Sequence, residues 1–303
     1  MSAPHDPADT APVDTAPADT APDTAPADTD RTITADQPAL AARLRALHTP
    51  GDPLVLVNVW DVLGARVVEA AGARAIATAS WAVSASLGLP DGEGMGLADN
   101  LAVVGRIARA VAVPVTADLE RGYGATPDDV AAAIARLLAT GAVGANIEDS
   151  VVELGKPAPD GVDPLRPVDD QCARLAAARE AGERMGVPLV LNARTDAHAR
   201  GAALPDVVAR GRAYLDAGAD CVFVVGRTAL RDVAAFAEAF DGRLNVLGRP
   251  GQPSIAELTS AGVARISIGP SGAGVAYAAL ARAAGQLLTR GDYLDDQAFG
   301  FPE

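Results

Sequence analysis

Aromatic residues are scarce in this 303-residue chain, at 4%, although hydrophobic residues reach 49%. A core with so few rings is built mostly from Ala, Val and Leu. That suits close-packed helices and parallel strands better than an all-β sandwich. Cysteine is nearly absent, limited to Cys172 and Cys221. These fall in a predicted helix and a predicted strand and read as buried, reduced thiols rather than a disulfide framework. No apolar run approaches the roughly 18 residues that span a bilayer. The N-terminus lacks a basic start followed by an apolar stretch, so no signal peptide is expected and the expected location is cytoplasmic. Positive charge is in deficit. The net charge of -14 argues against a nucleic-acid partner, which needs a basic face.

That charge is unevenly spread. Residues 1–30 hold seven Asp and no Lys or Arg, in the cycling run "DTAPVDTAPADTAPDTAPADTD". Ala, Pro, Thr and Asp cannot build a core. Residues 1–33 therefore read as a disordered, solvating acidic tail, and residues 34–303 as the folded domain.

What is abundant is alternation. Short apolar runs appear at 54–59, 75–80, 114–119, 144–149, 188–194, 221–226, 244–248 and 265–269. Ala-rich helical segments lie between them, such as "LADNLAVVGRIARAV" and "PDDVAAAIARLLATG", and several close on Gly. "QPALAARLRALH" reads as a helix before the first strand. Continuous apolar strands alternating with helices imply a parallel sheet covered on both faces. Eight units in this length fit a (β/α)8 TIM barrel. A doubly wound open sheet is the alternative, but its switch-point site would use fewer strand ends than carry polar residues here.

A barrel works at the C-terminal ends of its strands. Those ends carry, in order, Trp60-Asp61, then Ser80-Trp81 with Asp91 and Glu93 in the loop beyond, then Asp118 and Glu120, then Glu148-Asp149. The fifth strand ends in Arg194, Asp196 and His198, the sixth in Arg227 and the seventh in Arg249. Acids thus gather on the first four strands and bases on the next three. Oxygen donors without Cys or a His cluster suit a hard ion, Mg2+ or Mn2+. Asp118 and Glu120, two apart on a strand, share a face and repel unless they are solvated or a cation lies between them. Arg194 can hold a carboxylate or phosphonate through its fork. Simpler readings stand beside these. Asp91 in "PDGEG" suits a turn, Asp149 a structural pair, His198 an exposed loop and Trp81 packing. Asp118 and Glu148 resist such readings, because a charge closing an apolar strand is costly unless it is paired or metal-bound.

"WDVLGARVVEAAG", "SLGLPDGEG", "ADLERGYG", "GANIEDS", "LNARTDA" and "GADCVFVVG" resemble motifs of the isocitrate lyase/phosphoenolpyruvate mutase superfamily, over most of residues 52–290. The resemblance implies a (β/α)8 barrel that holds Mg2+ and an enolpyruvate-like intermediate. It implies metal ligands at Asp91, Asp118, Glu120 and Glu148, with Asp118 direct and the others largely through water. It implies a carboxylate-binding Arg194, and a substrate grip at Ser80 and Trp81 beside Trp60 and Asp61. A homo-oligomer that exchanges its last barrel helix is also implied, and the run after residue 270 is the candidate.

Three departures shape the activity expected. The loop "SVVELGKPAPDG" lacks the Cys and His of the isocitrate and methylisocitrate lyases. Ser150 follows "ED" where phosphoenolpyruvate mutases carry Lys and a later Asn-Ser. Val225 stands where mutases place His. The groups that would hold a migrating phosphoryl are missing, which tilts the expectation toward C–C cleavage of a 2-oxo or 2-hydroxy carboxylate through a metal-stabilised enolate. Glu148 and Lys156 join Arg194 as catalytic candidates, Lys156 as the acid. A phosphonomutase or phosphonopyruvate hydrolase is the alternative, and a non-catalytic dicarboxylate-binding protein is the alternative of another class.

Overall fold

The computed structural model describes residues 36–292. The expected acidic tail, residues 1–33, lies outside the described residues. The chain divides into two units, Met1–Asp30 and Arg31–Glu303, and every described residue belongs to the second.

Helix α1 (Gln37–Ala46) precedes β1 (Leu54–Leu56), β2 (Asn58–Val59), β3 (Ile76–Thr78), β4 (Val115–Asp118) and β5 (Gly144–Glu148). Strands β6 (Val190–Thr195), β7 (Cys221–Val224), β8 (Leu244–Leu247) and β9 (Arg265–Ser267) follow. All pairings are parallel, in the order β1-β9-β8-β7-β6-β5-β4-β3-β2. The two ends of that order are halves of the one strand expected at 54–59. The barrel therefore closes around a strand broken at Val57.

The break has a cause in Asn58. Its side-chain amide donates to Thr78 O on β3, and its Oδ1 accepts from Ile268 N and Gly269 N beyond β9. One side chain thus makes hydrogen bonds to both neighbours where the strand turns from one partner to the other.

The helices follow the expected alternation: α2 (Val62–Ala70), α4 (Leu97–Ala110), α5 (Pro127–Ala139), α6 (Val168–Arg184), α7 (Leu204–Asp216) and α8 (Leu230–Ala239). Helix α5 shows why. Thr126 and Asp129 form a capping box, Pro127 fits the first turn, and Val130, Ala133, Ile134, Leu137 and Leu138 bury one stripe. Three further helices are α3 (Ser80–Ser86), α9 (Ile255–Ser260) and α10 (Ser271–Arg290). Helix α3 was not expected, and it turns Ser80 from a strand end into the first residue of a helix. At the opposite end of the barrel α1 acts as a plug. A Cβ at Gly144 would meet Leu44 Cδ2 at 2.8 Å and Thr116 Oγ1 at 2.7 Å, so only Gly fits there.

Cys172 is half-buried in α6 and Cys221 is buried in β7, both as free thiols. Helix α10 buries only Ala273 and exposes Val275, Leu280 and Leu288. No helix among the described residues is long and apolar enough to cross a membrane.

Candidate active site

A cavity of about 270 Å³ opens at the C-terminal ends of the strands. Ser80, Trp81, Asp91, Asp118 and Arg194 line it, together with Leu154 from the segment after β5. That segment is a hairpin, bridged between Ser150 and Leu165, and it brings Leu154 over the cavity.

Asp118 is the most constrained of these groups. Its Oδ2 accepts from Ser80 N (3.3 Å) and Ser80 Oγ (2.9 Å), and its Oδ1 from Glu120 N (3.2 Å) and Asn146 Nδ2 (3.2 Å). Four donors fix the carboxylate on the cavity wall.

Glu120 shares the loop but not the cavity. Its φ of 49° throws the side chain out of the strand pattern. Its carboxylate accepts from Glu93 N and from Tyr123 OH, and Glu93 in turn accepts from Tyr123 N. Glu120 therefore bolts the loop that carries Asp91 onto the end of β4. Burial, then the charge of Asp118, pushes its pKa up to about 7. Gly122 turns the chain at φ 94°, and a Cβ at Gly124 would come within 2.1 Å of Asp129 Cβ. The fully buried Arg174 donates to the carbonyls of Arg121, Gly124 and Ala125 and holds this turn.

Glu148 and Arg194 face each other across β5 and β6, with Oε2 to Nη1 at 2.7 Å. The guanidinium fork, expected to face a ligand, instead grips Asp196, with Nε to Oδ1 at 2.8 Å and Nη2 to Oδ2 at 3.0 Å. Arg194 is left with its remaining Nη hydrogens for the cavity. Burial pushes Glu148 up to about 8 against the pull of Arg194, while Asp196 and Asp118 add to the push. Burial alone would raise Asp196, but the Arg194 guanidinium holds it below the usual carboxylate range. Asp149 is structural. It is fully buried and accepts from Asp196 N and Tyr214 OH.

Five expected site residues do not line the cavity: Glu120 and Glu148, described above, and Trp60, Asp61 and Lys156. Trp60 packs on Tyr277 at 5.7 Å and on Ala79, Ala82 and Ala273. Asp61 caps α2 by accepting from Gly64 N at 2.6 Å. Lys156 pairs with Glu153 at the exposed hairpin tip, two residues from Leu154. His198 stands at the loop, near Arg227 O. Asn146, Thr116, Arg265 and Ser267 line the cavity and went unnoticed in the sequence. Thr116 and Arg265 sit on lower levels of the barrel than a search of strand ends inspects, and Ser267, which closes β9, falls two residues short of the end of the run read as 265–269. For Asn146, its place two residues before Glu148, on the same face, was the available signal.

The donor set fits a hard divalent cation. Asp91 Oδ1 is buried without a hydrogen-bond partner, and burial followed by the charge of Asp118 raises this carboxyl. Among the described residues no three acidic, His or Cys side chains converge into a closed cage. Mg2+ needs no such cage, since it keeps several waters and takes one or two carboxylates.

Comparison with known proteins places this geometry in a family. The family model described as phosphoenolpyruvate phosphomutase matches residues 44–288, and the chain belongs to that family, within the isocitrate lyase/phosphoenolpyruvate mutase superfamily. It is an enzyme of the lyase, mutase or hydrolase kind found there, and members of the superfamily use Mg2+. Among solved structures it is similar to a Burkholderia cenocepacia J2315 protein provisionally described as a phosphonomutase. Identity is 42% and the TM-score 0.76, with 84% of this chain and all of the other covered. Among curated relatives it is 31% identical over 229 residues to the phosphoenolpyruvate phosphomutase of Streptomyces hygroscopicus, covering 73% of this chain and 72% of the relative. It is 32% identical over 199 residues to the 2-methylisocitrate lyase of Escherichia coli K12, covering 64% and 65%.

Proposed function

We propose that this enzyme cleaves or forms a C–C bond of a 2-oxo or 2-hydroxy carboxylate with Mg2+ as cofactor. One observation carries the reading: Asp118, fixed by four donors, faces the same cavity as the unpartnered Asp91 Oδ1 and the remaining donors of Arg194. The cation, when bound, supplies Lewis-acid stabilisation of the negative charge that develops on oxygen next to the breaking bond.

The protein's own groups do the rest. Asp118 would hold the metal directly, Asp91 and Glu148 would act largely through water, and Glu120, outside the cavity, would act by bracing the loop that carries Asp91. Arg194 neutralises the substrate carboxylate. Ser80 and Trp81, at the start of α3, grip its other oxygens. The hairpin bearing Leu154 excludes water, and Lys156 at its tip is the candidate acid. Lys156 is the chain's single lysine. The expected assembly is a homo-oligomer in which a neighbouring subunit covers the apolar face of α10.

C–P chemistry is the second reading, and the phosphonomutase-like relative favours it. Phe223 and Val225 weigh against it, because they line the wall with apolar groups where a migrating phosphoryl needs donors.

The test is calorimetric titration of Mg2+ with and without oxalate, a planar mimic of the enolate, on wild type and Asp118→Ala. Oxalate binding that needs Mg2+ and vanishes in the variant supports the reading. Absence of both Mg2+ and oxalate binding in the wild type overturns it. Oxalate binding without turnover of any 2-oxo acid favours the non-catalytic alternative.

A further inference from the structure

The cavity runs deeper than the groups this chemistry uses. Near its floor lies Arg265, the first residue of β9, only 3% exposed. Its Nε donates to Ser267 Oγ at 3.2 Å, two residues further along the same face, so the side chain reaches up the barrel. It lines the cavity, and its Nη1 is buried without a hydrogen-bond partner.

Other buried arginines are compensated. Arg194 faces Glu148 and Asp196, and Arg174 gives both its Nη groups to three carbonyls, although its Nε has no partner. Arg265 has neither an ion pair nor a carbonyl among the described residues. A guanidinium held in a protein interior without an anion is expensive. Burial pulls its pKa down to about 10, which still leaves it charged. Thr116 Oγ1, which also lines the cavity, is likewise unpartnered. Phe223, Val225 and Leu247 add apolar wall to the same cavity, and the charge of Asp118 reaches Arg265 and partly opposes the fall in its pKa. The cavity thus combines an acid-and-arginine rim with apolar walls and a cationic floor.

We propose that Arg265, with Thr116, binds a second anionic group of the substrate, so that the site takes an acid with a charged head at each end. The upper head is the 2-oxo or 2-hydroxy carboxylate of the proposed function, on which this inference rests. The lower head is an oxyanion, carboxylate or phosphonate, and the apolar walls pack against the carbons.

The test compares matched ligands that differ only at the far end. 2-Oxoglutarate is set against 2-oxopentanoate, and 3-phosphonopyruvate against 2-oxobutanoate. Each is titrated with Mg2+ into wild type, Arg265→Gln and Arg265→Lys, with thermal melts to confirm folding. The doubly charged member should bind wild type about tenfold to hundredfold tighter, as expected for a charge-assisted hydrogen bond. The ratio should collapse toward one in Arg265→Gln and survive in part in Arg265→Lys. The pair with the larger ratio names the head group. Equal affinities in the wild type, or equal weakening of both members in Arg265→Gln, overturn the proposal and leave a guanidinium solvated by trapped water. Failure of oxalate to bind with Mg2+ sinks the upper site separately. In that case stabilisation of metal-free wild type by succinate over butanoate, lost in Arg265→Gln, still supports the lower site, and its absence overturns it.

Discussion

Tyr123 donates its hydroxyl to Glu120 Oε1 at 2.9 Å, and both residues hold left-handed backbone, with φ of 54° and 49°. Such a conformation costs a non-glycine residue about 1–3 kcal/mol. Here each strained residue braces the other, and Asn100 Nδ2 bonds both Tyr123 OH and Asp118 O. The brace fixes the loop carrying Asp91 relative to Asp118.

Tyr123→Phe removes one donor from the buried Glu120 carboxylate. We expect a stability loss of about 1–3 kcal/mol, as for a buried group left unsatisfied. Mg2+ affinity should fall several-fold because Asp91 is no longer held. Chemical denaturation and calorimetry read the two effects, and an unchanged Mg2+ affinity would separate the brace from the metal site.

Asp196→Ala strips the fork from Arg194 and leaves Glu148 as its remaining acid. Breaking one partner of a buried charged network costs about 3–5 kcal/mol. The freed guanidinium should also swing, raising KM for a carboxylate substrate more than it lowers kcat. An unchanged KM would show that Glu148 alone orients Arg194.

His48 sets an acid limit on stability. Its Nδ1–H donates to Leu44 O at 2.8 Å, and its Nε2 is buried with no partner. Burial, then the charge of Arg265, lowers its pKa from 6.5 to about 4; Arg45 adds to this, while Leu44 O and Asp220 oppose it. Between those values the unfolded chain binds a proton that the folded chain does not. Stability from this group is therefore intact above about pH 6.5 and is lost as pH falls toward about 4. His48→Gln should flatten that part of the profile. In Arg265→Gln, proton resonance should show the His48 pKa rising.

Leu280→Asp with Leu288→Asp places charges on the exposed face of α10. A protein assembled through that face should sediment as a smaller species. A solitary protomer should be indifferent to both changes.

The barrel was legible because its strands are buried on both faces and so read as unbroken apolar runs. The break at Val57 was not legible, since it depends on an Asn58 side chain replacing backbone partners. Nor was α3, a single short helix in "SWAVSAS" that gives Ser80 its place beside Asp118. The site was partly legible. Asp118, Asp91, Ser80 and Arg194 reach the cavity as strand ends suggest. Trp60 and Asp61 also sit at a strand end, but one packs under α10 and the other caps α2. Glu120 escapes the two-residue rule because its backbone is left-handed. Arg265 was overlooked although it obeys the logic applied to Glu148, a charge inside an apolar strand. It opens its strand instead of closing it.

The divided first strand bears on how the chain reaches this shape. Val59 can pair with Thr78 as soon as the next strand exists, whereas the links from Asn58 to Ile268 and Gly269 span 210 and 211 residues. Such distant contacts form slowly. During synthesis Leu54–Leu56 must wait as an uncovered edge until Arg265–Ser267 has left the ribosome, which makes that edge the point where an arrested nascent chain would recruit a chaperone.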